Sequence, residues 1–128
     1  MTKRVASARV VVVDDSEPFR RLLVDYLGTE ARLDVVGFAA DGVEAEHVID
    51  LTDPDVVVLD ARLPLESGLE VLEKLRETHP ETMFVVSSSD DTTANEADRL
   101  GADLYFDKLH PIDELCDLIR AEVLDLSQ

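Results

Sequence analysis

Four short stretches of this chain end in side chains that could do chemistry together. Val10 to Val13 runs into Asp14-Asp15-Ser16, and Val56 to Leu59 runs into Asp60. Met83 to Val86 breaks into Ser87-Ser88-Ser89, and Leu104-Tyr105-Phe106 is followed by Asp107 and Lys108. Three carboxylates brought close together repel one another unless a cation joins them. Oxygen ligands with room for water suit Mg2+ or Mn2+ better than zinc. No Cys/His cluster competes for that role, because His47, His79 and His110 stand in separate segments and Cys116 is the single cysteine. A hydroxyl and an ammonium beside such a cation suit phosphoryl transfer, where the charge on three equatorial oxygens must be neutralised. Each residue alone has a plainer role. Asp is a common turn residue at a strand exit, a lone lysine is a solvated loop charge, and Tyr105 fits a half-buried strand position. Convergence decides between them.

The elements that would produce convergence are legible in the pattern. Each apolar run lacks alternation, which suits a strand covered on both faces in a parallel sheet. Leu33 to Ala39 supplies a further β-rich run. Ser16 can cap a helix with Pro18 in its first turn, Phe19, Leu22, Leu23, Tyr26 and Leu27 recur at helical spacing, and Gly28 ends it. A turn at Asp41-Gly42 precedes a second helix through Leu51 that Pro54 closes, and Gly68 precedes a strongly amphipathic third that ends at His79-Pro80. Thr93 to Leu100 is a weak helix with few apolar residues, and a last one runs from about Ile112 to Leu126. Five strand-helix repeats with short connections predict an α/β fold. It is a (βα)5 doubly wound, flavodoxin-like three-layer sandwich whose parallel sheet has the order 2-1-3-4-5. Ligands bind where that order reverses, between the strands ending in Asp14-Asp15 and in Asp60.

Composition sets outer bounds. The chain has 128 residues, 45% hydrophobic and 32% charged, enough for one domain and one core. A net charge of −17 repels phosphate backbones and anionic lipid, so direct nucleic-acid or membrane-surface binding is not expected. The charge suits a cation ligand or a basic partner, and solubility alone would also account for it. No apolar run is long enough to span a membrane, and the N-terminal valine run is too short for a signal-peptide core; the expected location is cytoplasmic. Cys116 lies in a helical pattern, where packing outweighs reactivity. Only three lysines occur against nine arginines, which makes Lys108 at a strand end more informative.

The ordered set Val-Val-Asp14-Asp15, Leu59-Asp60-x-x-x-Pro64-x-x-x-Gly68, Val-Val-Ser87-Ser88 and Gly101-Ala-Asp-x-Tyr105-x-x-Lys108 resembles the receiver domain of two-component response regulators. The resemblance covers about residues 8–126, a single receiver domain spanning 1–128 with no output domain within it. It implies that Asp60 accepts a phosphoryl group from the phosphohistidine of a sensor histidine kinase or histidine phosphotransfer protein. It implies that Asp14, Asp15, Asp60 and the backbone carbonyl of Arg62 hold Mg2+ (or Mn2+). Lys108 would pair with Asp60 and then with the phosphoryl oxygens. Ser87 would give its hydroxyl to the phosphoryl group, with Ser88 as the alternative, and Tyr105 would be the switching aromatic. Such a domain is not a conventional enzyme, although it catalyses its own aspartyl phosphorylation and dephosphorylation. The added charge would bias a loop and the weak fourth helix, so that the face of helix four, strand five and helix five signals to a downstream protein or an output domain.

Two positions depart from the family pattern. Lys108 is followed by Leu109-His110-Pro111, whereas many receivers place a proline, commonly cis, directly after the lysine. This loop is therefore expected to be held otherwise. The segment from the serines to Gly101 is about one residue short, and the serine triplet blurs the register; Ser87 is preferred because it follows the apolar run directly. Two other classes share part of this pattern. A receiver fold acting only as a phosphorylation-independent interaction module is disfavoured by retention of the acids, hydroxyl and lysine. A small Mg2+-dependent phosphatase usually has a further acid two residues after its nucleophile, where this chain has Arg62, and needs a cap for which there is no room. No glycine-rich phosphate loop is present.

Overall fold

The structure, a computed structural model, describes residues 4–125. The chain alternates β1 (Ala8–Val13), α1 (Glu17–Leu27), β2 (Leu33–Ala39), α2 (Gly42–Thr52), β3 (Val56–Asp60), α3 (Gly68–Thr78), β4 (Met83–Ser88), α4 (Ala94–Arg99), β5 (Leu104–Asp107) and α5 (Ile112–Val123), with a 3-10 turn (Asp91–Thr93) before α4. All strand pairs are parallel and the sheet order is β2-β1-β3-β4-β5, as the repeats predict. One irregularity lies opposite Val10 and Val11, where β2 steps from Val35 to Gly37.

The unbroken valine runs are explained by two cores. Val10, Val12, Val56, Val58 and Val85 pack with Leu23, Leu27, Leu115 and Ile119 of α1 and α5. Their neighbours Val11, Val13, Val57, Leu59, Phe84 and Val86 pack on the opposite face with Ala45, Ile49, Val71, Leu72, Leu75 and Ala97 of α2, α3 and α4. Both faces are covered, so no strand position has to be polar until the strand leaves the sheet. Each such side chain, fully buried, contributes ~1.5–3 kcal/mol, and that burial makes the strand ends a rigid platform.

Local chemistry places the helix starts. Ser16 caps α1 through its hydroxyl, which accepts from the Phe19 amide, and Asp41 caps α2 through its carboxylate, which accepts from the Glu44 amide. Four details differ from the sequence pattern. Strand β4 continues through Ser88, because Ser87 pairs with Asp60 and Phe106 and Ser88 with Asp107. The fourth helix starts at Ala94 without a side-chain cap, and of its residues only Ala97 is buried. Gly28 ends α1 in a right-handed conformation, φ −66°, so its freedom is not used there. Finally, α5 stops at Val123, because Leu124 is extended, fully buried and bridged in parallel to Val5; residues 126–128 lie outside the described region.

Candidate functional site

Each predicted site residue except Tyr105, which lies within β5, sits at the carboxyl end of a strand or in the loop that follows. Asp14 directly follows β1, where its amide donates to the Ala39 carbonyl. Its side chain is buried, and Oδ1 accepts from the Ser16 amide at 2.9 Å. Arg20 reaches back from α1 to the Asp14 carbonyl at 2.8 Å. Asp15 is exposed beside it. Asp60 is the last residue of β3 and only 5% exposed. Its Oδ1 accepts from the Arg62 amide at 3.0 Å and its Oδ2 from Lys108 Nζ at 3.1 Å. Gly68 explains why this corner is so tight. It donates to the Ala61 carbonyl, and a Cβ built on it would stand 1.8 Å from the Asp60 carbonyl oxygen.

The carboxylates of Asp14, Asp15 and Asp60 each offer an oxygen within 4.8 Å of the others. Lys108 Nζ also lies 2.7 Å from Asp14 Oδ2, an ion pair without hydrogen-bond alignment, and that oxygen has no other partner among the described residues. Burial pushes the Asp60 carboxyl above its ordinary range; the Arg62 amide opposes the rise, Asp14 adds to it and Lys108 opposes it. For Lys108, burial works against the charged form, yet Asp14 and Asp60 together outweigh it and hold the ammonium above its usual range. The cluster is therefore one ammonium against three acids, a charge imbalance that fits a divalent cation. Among the described residues the Arg62 carbonyl oxygen accepts no hydrogen bond, which leaves its lone pairs available.

The two serines differ sharply. Ser87 Oγ is fully buried and has no partner among the described residues, whereas Ser88 Oγ donates to the Asp90 carbonyl at 3.1 Å and accepts from the Asp90 amide at 3.0 Å. Tyr105 is half-buried, and its hydroxyl donates to the same Asp90 carbonyl at 2.8 Å while lying 3.0 Å from Thr93 Oγ1. The loop after Lys108 is held by its neighbours rather than by a proline. Asp107 Oδ1 accepts from the Leu109 amide, the Asp107 carbonyl accepts from His110, and the Lys108 amide bonds the Ser88 carbonyl. No peptide bond among the described residues is cis.

Three neighbours of the site were not singled out from sequence. Phe19 lies beneath Lys108, with Nζ 4.5 Å from the ring centroid. Arg20 braces Asp14, and Asp90 gathers Ser88, Thr92, Thr93, Tyr105 and Arg62. Asp90-Asp91-Thr92 carries an Asx-turn signal that could have pointed to the last of these. Phe19 and Arg20 carry no such signal, because helical spacing explains them fully. A surface cleft of about 420 Å³ between α1 and β2, lined by Arg20, Arg21 and Phe38, includes none of the acidic cluster. Convergent polar groups mark this site, not volume.

The doubly wound sheet with an acidic cluster at its switch point defines a class, the flavodoxin-like α/β proteins, which bind ligands where the strand order reverses. The sequence model of the response regulator receiver domain matches residues 10–120, and the chain belongs to that family. It is similar to a protein-glutamate methylesterase/protein-glutamine glutaminase of Geobacillus kaustophilus, 39% identical over 97 residues, which are 76% of this chain and 27% of the relative. The chain thus spans about a quarter of the curated relatives it matches. Among solved structures it is similar to the response regulator domain of Thermotoga maritima CheB, with a TM-score of 0.79, 33% identity and coverage of 92% of this chain and 96% of that one. It is also similar to a two-component response regulator of the LuxR family from an Aurantimonas species, with a TM-score of 0.85, 29% identity and coverage of 91% and 84%. No helix among the described residues is long and apolar enough to cross a membrane.

Proposed function

We propose that Asp60 accepts a phosphoryl group from a phosphohistidine of a partner kinase or phosphotransfer protein, and that the resulting charge switches the α4-β5-α5 face. The observation that carries this reading is Lys108, whose one ammonium reaches both Asp14 and Asp60, with Ser87, whose buried hydroxyl has no partner among the described residues, paired to Asp60 across the sheet. In the step, a carboxylate oxygen of Asp60 forms a bond to phosphorus as the phosphorus–nitrogen bond breaks, and the electron pair returns to the imidazole. Asp14, Asp15, Asp60 and the Arg62 carbonyl would hold Mg2+, which supplies Lewis-acid neutralisation of the phosphoryl oxygens when bound. Lys108 neutralises a further oxygen, and the Arg62 amide fixes the Asp60 carboxylate so that little reorganisation is needed.

The signal then follows from Ser87. Its hydroxyl can gain a hydrogen bond that it lacks in the unmodified protein, drawing in the segment of Asp90 to which Tyr105 is tied. The α4 helix is six residues long with one buried side chain, so it has little holding it in one position. The face would act on a downstream protein or an output domain, as the methylesterase relatives suggest, and the setting would be cytoplasmic.

The test is incubation with Mg2+ and acetyl phosphate or phosphoramidate. A mass gain of one phosphoryl group, acid-stable and base-labile, is expected in the wild type and not in Asp60→Asn. No gain in the wild type would sink the reading. Hydrogen exchange with and without beryllofluoride should change in α4, β5 and α5; unchanged protection there would remove the switch while leaving the acceptor.

A further inference from the structure

We infer that Phe19 is a positioning residue for Lys108, an aromatic seat that keeps the ammonium over the site when the carboxylates are engaged elsewhere. The inference rests on the proposed phosphoryl transfer. Lysine is a compact charge on a four-carbon stem, and nothing in its own chemistry fixes where the ammonium points. Here Asp14 Oδ2 lies at 2.7 Å, Asp60 Oδ2 at 3.1 Å, and the Phe19 ring centroid at 4.5 Å. Both carboxylates also belong to the acidic cluster, so their hold on the ammonium weakens whenever a divalent cation shares their charge. The ring offers no lone pair to a hard cation, and its attraction for the ammonium persists.

Backbone chemistry sets the ring in place. Ser16 caps α1 by accepting from the Phe19 amide itself, and Phe19 is half-buried against the core shared by α1 and α5. The Lys108 side chain is only 16% exposed, so water screens the contact poorly. A saturated residue of similar bulk would shield the ammonium from water equally and return no quadrupole attraction. In this chain the residue after Lys108 is Leu109, and the Asx turn at Asp107 orients the loop backbone without reaching Nζ. The ring does.

The experiment compares wild type, Phe19→Leu and Phe19→Tyr. The Lys108 methylene and Cε signals, assigned by their loss in Lys108→Arg, are read by NMR with and without saturating Mg2+. A ring-current upfield shift is expected in wild type and Phe19→Tyr in both conditions, and not in Phe19→Leu. With phosphoramidate at saturating Mg2+, Phe19→Leu should be phosphorylated about fivefold more slowly, at unchanged Mg2+ affinity, with Phe19→Tyr restoring the rate. A missing upfield shift in wild type, its loss on adding Mg2+, or equal slowing in Leu and Tyr variants would each overturn the inference. Wild type that fails to phosphorylate while keeping the shift would overturn the phosphoryl-transfer reading instead.

Discussion

The guanidinium of Arg62 lies 2.5 Å from a carboxylate oxygen of Asp90, and this ion pair ties the loop after β3 to the loop after β4 across the mouth of the site. The two side chains are 70% and 30% exposed, so solvent screens the pair and it contributes little to global stability. Its effect should be local. The Asp90 carboxyl is held below its usual range first by the Thr92 hydroxyl and amide, then by Arg62. A depressed acid contributes stability that is present above its unfolded pKa and fades as pH falls through its folded one. In Arg62→Gln the Asp90 titration midpoint, followed by NMR, should rise yet stay below the ordinary carboxylate value, because Thr92 remains. Thr92 and Thr93 amide exchange should quicken. A midpoint unchanged by the substitution would show that the pair is not formed in solution.

Asp60 is held at a cost to the fold. Burial raises its carboxyl pKa, so at neutral pH the folded state carries a charge it would rather not hold. Asp60→Asn should therefore be more stable than wild type by about 1 kcal/mol at pH 7, without added divalent cation. Thermal melting should show a rise of ~2–6 °C for a domain of this size. The sign follows from Lys108, which keeps Asp14 as a partner in the variant. Equal or lower melting would mean that the Lys108–Asp60 contact outweighs desolvation.

Much of the fold was legible because single rules governed it. Unalternating valine runs mark strands covered on both faces, and β2 and β3 fall where the pattern puts them. Asp14 and Asp60 were legible because each directly follows such a run, and Asp15 and Lys108 because each stands one residue beyond an apolar run. What escaped was decided by contacts between distant segments. Leu124 leaves α5 because Val5 lies beside it, and no helix propensity reports a partner more than a hundred residues away. Ser87 and Ser88 extend β4 because β3 and β5 flank Ser87 on both sides and β5 pairs with Ser88, overriding the preference of serine for turns. Phe19 fits a helical repeat so well that its second role left no trace.

Gly68 tests how rigidly the Asp60 corner is built. A Cβ there would meet the Asp60 carbonyl oxygen at 1.8 Å and its carbon at 2.8 Å, both backbone atoms that cannot swing aside. Gly68→Ala must push the start of α3 away from the end of β3. The expected loss is about 3 kcal/mol or more, read from urea unfolding. If the variant folds, its Asp60 should react more slowly with phosphoramidate, because the Arg62 amide moves with the same loop. A loss under 1 kcal/mol would mean that the loop yields easily, and that the site is less preorganised than its geometry implies.

Ser87 and Ser88 should respond in opposite ways to the same substitution. Ser88 Oγ brackets Asp90, donating to its carbonyl and accepting from its amide, in a position that is 1% exposed. Ser88→Ala leaves the Asp90 amide without that acceptor and should cost ~1–2 kcal/mol, with faster exchange through the 3-10 turn at Asp91–Thr93. Ser87 Oγ is buried with no partner among the described residues, so the folded state already bears the cost of dehydrating it. Ser87→Ala removes that cost and should be neutral or stabilising by up to ~1 kcal/mol in urea unfolding. Beryllofluoride should then separate the two in function. A hydroxyl already committed to Asp90 has to give up two hydrogen bonds to reach a phosphoryl oxygen, whereas an uncommitted one gives up none. Ser88→Ala should therefore keep the exchange response in α4 and β5, and Ser87→Ala should lose most of it. The reverse pattern would move the switching hydroxyl one residue along the strand.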